Sequence, residues 1–227
     1  MTINAARTGW VFFALLCLLL GALSAKQLFA ALVNKPLVLE RLQLLPEPKP
    51  LPSVLLRTAT GDAFAREKFQ QKWSLVFFGF TSCPDFCPME LQKLGKILKL
   101  ARQEGKPLQV VFVSVDPERD SAARLAEYVA FFHPQIIGLR GDNPAIANFA
   151  RFFGAAYDRS ALVNNKVLSI PAGAAMPALA GDHYQVNHST RVFVIDPQGQ
   201  YVGSVSMASE AIGDSTESLW SDLNKVF

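Results

Sequence analysis

The chain has 227 residues, half of them hydrophobic and 18% charged, which suits one globular domain with an apolar segment left over. Its formal net charge is +3, but Arg7 and Lys26 lie ahead of residue 27, and beyond them 20 bases face 19 acids. The body of the chain is near neutral and carries no basic stripe, which leaves nucleic-acid binding without support.

Residues 1–8 read as a short cytoplasmic N-terminus. Residues 9–25, GWVFFALLCLLLGALSA, carry no charge, and after Lys26 the apolar character resumes through Val33. A membrane-spanning helix needs roughly 17–25 apolar residues, so 9–33 is long enough. Its apolar core is long for the h-region of a cleaved signal peptide, the main rival reading. The expectation is an uncleaved single-pass anchor, with Cys17 as one of its apolar residues. Leu16, rather than a small residue, precedes Cys17, a poor match to a lipoprotein signal. The eight residues before the span are too few for an Arg- and Ser-rich mitochondrial presequence. The predicted setting is a bacterial inner membrane, with the C-terminal domain in the periplasm. The charge signal for that orientation is shallow, because Arg7 precedes the span and Lys26 and Lys35 follow it.

Residues 34–52 read as a linker. LPEPKPLP (45–52) holds four prolines in eight residues and predicts a stiff, extended spacer. A domain is expected over 53–227. SVLLRTATGDAF predicts a hairpin turning at Gly61-Asp62. WSLVFFGFT (73–81) and LQVVFVSV (108–115) are continuous apolar runs of strand length, as for central strands covered on both faces. Between them, Leu91, Leu94, Ile97, Leu98 and Ala101 recur at helical spacing from Pro88 to about Arg102. SAARLAEYVAFF predicts a helix begun by Asp120 or Ser121, IIGLR a short strand, and NPAIANFARFFG a helix with Asn143 as cap and Gly154 past its end. Residues 155–187 stay unassigned, except that PAGAAMPALAG (171–181) fits neither period and reads as a loop. TRVFVIDPQGQYVGSVS predicts two strands joined by DPQG, and STESLWSDLNKVF a last helix. The sum is an α/β domain with a mixed central sheet flanked by helices.

Cys83 and Cys87, in GFTSCPDFCPMEL, fall where the first buried strand gives way to a helix. A helix N-terminus presents free N–H groups and a positive dipole end, which favour thiolate. The pair reads as a structural disulfide, a redox couple or a soft-metal site. A bridge between i and i+4 closes too small a loop to stabilise a fold greatly. The C-x-x-x-C spacing is one residue longer than the C-x-x-C of disulfide oxidoreductases and leaves room for a cation. Thiolates suit Cu(I). Two of them leave an ion wanting further ligands, and the histidines are His133, His183 and His188. His133 sits before Pro134 at a helix end, a capping position. His183 lies in the irregular stretch. His188 precedes a buried strand, which places it on a rigid element at a sheet edge.

GFTSCPDFCPMEL, VSVDPERD and NHSTRVFVIDPQG together resemble the Sco/SenC family of copper-binding proteins that assist assembly of cytochrome c oxidase. The resemblance covers about residues 53–227. It implies a thioredoxin-like domain, a membrane anchor, and copper, as Cu(I) or Cu(II), held by Cys83, Cys87 and His188. The implied activity is copper delivery to the dinuclear copper centre of cytochrome c oxidase subunit II, with a periplasmic copper donor or a thioredoxin-like reductant as further partners. Asp85 would be a tuning or docking residue, or simply an acid at a helix start. Asp116, Arg119 and Asp120 would shape a partner surface, or serve as a cap and a solvated ion pair. The sequence departs from the family at Asn187, where an aspartate is usual, and in the Ala- and Gly-rich stretch 160–183, where His183 competes as a ligand. A second reading makes Cys83 and Cys87 catalytic, in a thiol–disulfide oxidoreductase that reduces the acceptor's cysteines without needing His188. A peroxidase is a third and weaker reading.

Overall fold

A computed structural model describes residues 15, 17–21, 26, 37–206 and 215–227. The chain divides into two units, Met1–Val38 and Leu39–Phe227. In the first, residues 15, 17–21 and 26 are helical, and Leu15, Leu18, Leu19 and Leu20 are exposed. Among the described residues no helix is long and apolar enough to cross a membrane, and most of the expected anchor at 9–33 lies outside them.

The described residues of the second unit carry eleven strands: β1 (Leu42–Pro50), β2 (Leu56–Thr58), β3 (Ala63–Phe64), β4 (Trp73–Gly79), β5 (Leu108–Ser114), β6 (Ile136–Arg140), β7 (Tyr157–Val163), β8 (Lys166–Pro171), β9 (Tyr184–His188), β10 (Arg191–Ile195) and β11 (Gln200–Ser206). Its helices are α1 (Phe86–Gln103), α2 (Ala122–Phe132), α3 (Asn143–Phe153) and α4 (Ser215–Val226). Eight strands form one mixed sheet, in the order β1-β11-β10-β4-β5-β6-β2-β3. Strands β4, β5 and β6 run parallel at its centre, and β10 closes antiparallel on β4.

The apolar runs of β4 and β5 are buried on both faces because side chains alternate across a strand. Leu75, Phe77, Val110 and Phe112 face α1, α2 and α4. Val76, Phe78, Val111 and Val113 face α3. Phe78 meets Phe149, Phe153 and Phe193 with ring centroids 5.8–5.9 Å apart. Full burial of such a ring contributes about 1.5–3 kcal/mol.

Two local expectations change. The proline-rich stretch taken as a spacer is largely strand β1, paired with β11 at the sheet edge. Pro46 and Pro48 lie where the register slips between Leu44 and Lys49, so their missing N–H groups break no ladder bond there. Asp142, not Asn143, caps α3 by accepting the Ala145 N–H, and Ser121 caps α2 by accepting from Arg124. Residues 155–187, unassigned from their spacing outside 171–181, carry β7, β8 and β9, which make a second sheet in the order β8-β7-β9. Asn164 and Asn165, at φ 50 and 59, form the two-residue turn between β7 and β8. The 171–181 stretch itself is irregular apart from a short 3₁₀ turn at Ala178–Ala180.

Candidate metal centre

Strand β4 ends at Gly79, and six residues separate it from the start of α1 at Phe86. Cys83 lies in this connection, half-buried, and Cys87 lies in the first turn of the helix, fully buried. The helix therefore starts earlier than its apolar spacing predicts. The Cys87 N–H points at the Cys83 Sγ, 3.4 Å away, so a free helix N–H stabilises charge on that sulfur. Pro88 follows at a position where a helix has no use for an N–H.

The third group arrives from the second sheet. His188 ends β9 and pairs across it with Tyr157 of β7. Its Nε2 lies 3.4 Å from the Cys87 Sγ. Its Nδ1 lies 3.0 Å from the Ser189 carbonyl oxygen. That oxygen only accepts, so Nδ1 carries the proton and Nε2 presents its lone pair to the sulfurs. Phe77 and Phe80 hold the imidazole edge-to-face, at centroid distances of 6.0 and 5.7 Å. One donor atom from each of Cys83, Cys87 and His188 lies within 4.8 Å of the others, the one such cluster of at least three His, Cys, Asp or Glu among the described residues. An ion with bonds of about 2.0–2.3 Å reaches all three after small closure. Both cysteines are free thiols.

The two sulfurs are not equivalent. The hydrogen bond from the Cys87 thiol pulls Cys83 down to about 4 against the effect of its partial burial, with the N–H groups of Cys87 and Asp85 adding to it. The same hydrogen bond, with deeper burial, pushes Cys87 far up. At neutral pH the pair is one thiolate and one thiol. A metal that takes both sulfurs must expel the Cys87 proton.

The other histidines stand apart from this cluster. His133 is the buried C-cap of α2, with Nδ1 accepting the Gln135 N–H. His183 is exposed at the mouth of a groove of about 690 Å³ beside Arg119 and Leu162. Asp85 sits exposed at the N-cap position of α1 without a side-chain cap bond.

Asp116 and Asp120 are fully buried, so they form no surface. Asp120 accepts from the Thr81 N–H and Oγ and from Ser114 Oγ, which anchors the cysteine loop two residues before Cys83. Burial raises the Asp120 carboxyl against these bonds. Sequence reasoning passed over Thr81, Tyr184 and Gly79. A Cβ added to Gly79 would stand 2.7 Å from the Cys87 Sγ and 2.7 Å from the Phe112 ring. A glycine inside an otherwise apolar strand is the usual sign of such close approach.

Asn187 donates to Asp158, directly across the β7–β9 pair, at 2.8 Å. An aspartate there would face a like charge. Asn187→Asp is expected to cost roughly 0.2–1 kcal/mol. It should read as a drop of up to about 4 °C in thermal midpoint, recovered by adding Asp158→Asn. An unchanged midpoint would refute the pairing.

A family model described as SCO1/SenC matches residues 53–221. The mitochondrial protein SCO2 homolog of Bos taurus is 35% identical over 159 residues, covering 68% of this chain and 54% of the relative. The chain thus spans about half the length of the curated relatives it matches. Among solved structures, yeast Sco1 with copper bound is 30% identical with a TM-score of 0.63, covering 78% of this chain and 88% of that one. Apo Sco1 from Thermus thermophilus is 30% identical with a TM-score of 0.65, covering 86% and 100%. With a family model matched over most of the domain and these structures aligned to it, the chain has the thioredoxin-like Sco fold and belongs to the SCO1/SenC family.

Proposed function

We propose that the chain is a copper chaperone whose Cys83 and Cys87 thiolates and His188 imidazole hold the ion and pass it, by ligand exchange, to the dinuclear copper centre of cytochrome c oxidase subunit II. The observation that carries this reading is the convergence of two sulfurs and one correctly protonated imidazole within 4.8 Å. Soft thiolates suit Cu(I), and the imidazole suits Cu(II) as well. The solved relatives with copper bound support it. The apolar stretch at 9–33, with leucines exposed on its described helical residues, supports a single-pass inner-membrane anchor and a periplasmic domain.

The test is titration of the reduced full chain in detergent with Cu(I) and Cu(II), followed by absorbance and EPR. A one-to-one complex with thiolate-to-Cu(II) charge transfer is expected. Cys83→Ala or Cys87→Ala should abolish that band, and His188→Ala should weaken Cu(II) binding sharply. Absence of copper binding with both thiols confirmed free would refute the chaperone reading.

A second reading has its own observation, the low Cys83 pKa beside a buried, high-pKa Cys87. In a thiol–disulfide oxidoreductase, the Cys83 thiolate attacks an acceptor disulfide and releases one acceptor thiolate. Cys87 then attacks the Cys83 sulfur, releasing the second and leaving a Cys83–Cys87 disulfide. Disulfide reduction retained in full by His188→Ala would favour this role.

A further inference from the structure

The segment Asp116–Asp120 sends three acids to three parts of the frame around the metal centre. Asp120 holds the cysteine loop at Thr81. Glu118 accepts from Arg159 of β7 at 2.7 Å, from Asn143 at 2.9 Å and from the Met176 N–H at 3.1 Å. Asp116 accepts from the Tyr184 hydroxyl and, at 2.5 Å, from Arg119 Nε.

Arg119 carries the contact onward. One terminal nitrogen donates to the backbone carbonyls of Tyr184 and Asp182, at 3.0 and 3.3 Å. Its guanidinium lies 3.8 Å from the centre of the Tyr184 ring and 5.9 Å from that of Phe80. Phe80 is in turn one of the two rings that hold the His188 imidazole. Tyr184 opens β9 and His188 closes it. With a period of two, Tyr184, Val186 and His188 project from the same face. The strand is short and paired on β7 along its whole length. Fixing one end in angle and register therefore fixes the other, about 13 Å away at roughly 3.3 Å per residue.

We infer that Arg119 and Tyr184, seated on Asp116, are positioning residues for His188: they set whether its Nε2 reaches the sulfurs, and so the preference of the centre for Cu(II) over Cu(I). The inference rests on the reading that Cys83, Cys87 and His188 hold copper. A dithiolate alone satisfies soft Cu(I), whereas Cu(II) gains more from the imidazole nitrogen. Loosening the clamp should therefore cost one oxidation state and spare the other. Lysine cannot replace Arg119, because the contacts to Asp116 and to the two carbonyls leave different nitrogens of one planar fork.

The test uses the reduced full chain in detergent and the variants Tyr184→Phe and Arg119→Lys, each alone and combined with His188→Ala. Free Cu(I) and Cu(II), in competition with chelators, are the probes. Each single variant is expected to lose about tenfold or more in Cu(II) affinity, as other outer-sphere contacts to metal ligands do. Cu(I) affinity should hold, and the imidazole nitrogen splitting in the Cu(II) EPR spectrum should weaken. In the His188→Ala background neither variant should lower Cu(II) affinity further. Unchanged Cu(II) affinity and splitting in both variants, with a large loss in His188→Ala, would overturn the clamp alone. An equal loss with and without His188 would overturn it too, since the clamp would then act on folding. No effect of His188→Ala on Cu(II) would overturn both the clamp and the metal reading.

Discussion

Between pH 5 and 8, alkylation of the reduced protein by iodoacetamide is expected to modify Cys83 ahead of Cys87 and at a nearly constant rate. An ordinary thiol with a pKa near 8.5 gains about tenfold in thiolate for each pH unit over this range. Cys83, held at about 4 by the Cys87 thiol and helix-end N–H groups, is already ionised at pH 5. Its nucleophilicity is lowered along with its pKa, with a Brønsted slope of about 0.4–0.5, so the absolute rate at pH 8 should not exceed that of a free thiol. The flat profile is the signature, rather than speed. Cys87, buried and pushed far up, should remain unmodified until the protein unfolds. A depressed folded pKa contributes stability that is fully present above the unfolded value near 9 and is lost as pH falls towards 4. Peptide mapping by mass spectrometry reads both sites. A Cys83 rate that climbs about a thousandfold from pH 5 to 8 would refute the shift.

Gly79→Ala is expected to damage the candidate metal centre and the fold together. The added methyl would stand 2.7 Å from both the Cys87 sulfur and the Phe112 ring, and Phe112 is fully buried. Overpacking of this kind costs typically 1–3 kcal/mol. The sulfur is the more movable partner, so the Cys87 Sγ should be displaced from its place 3.4 Å from His188 Nε2. Thermal melting should show the loss of stability. Copper titration should show a weaker complex even at temperatures where the variant is folded. A variant with wild-type melting and copper affinity would show that the close approach of Gly79 is slack.

The central elements were legible because their sequences obey one rule each. The apolar runs at 73–79 and 108–114 could only be covered strands, and Leu91, Leu94 and Ile97 mark a buried helix face. The cysteine pair was legible for a related reason: its place at a strand–helix junction follows from local pattern. The second sheet was not legible, because its burial contradicts its chemistry. Arg159 is fully buried, while Leu162 and Val167 stand exposed. No alternation of apolar and polar residues survives that inversion. Asn164-Asn165 was the available signal, since both residues tolerate positive φ and suit a two-residue hairpin turn. The acids at 116 and 120 misled in another way. Local sequence reads them as surface charge or a helix cap. The partner that buries Asp116 is Tyr184, 68 residues on, and proximity of that range leaves no mark on spacing.

His188 and Cys87 are 101 residues apart along the chain. An ion held between them therefore acts as a removable cross-link, closing a loop as long as those that native disulfides close. Its grip ties the three-stranded β7–β9 sheet to the helix that carries the thiol. Loading then becomes a tightening of that sheet, visible as slower amide exchange in β9. Unloading becomes its release, and the cost of opening the small sheet forms part of the barrier to giving up the metal.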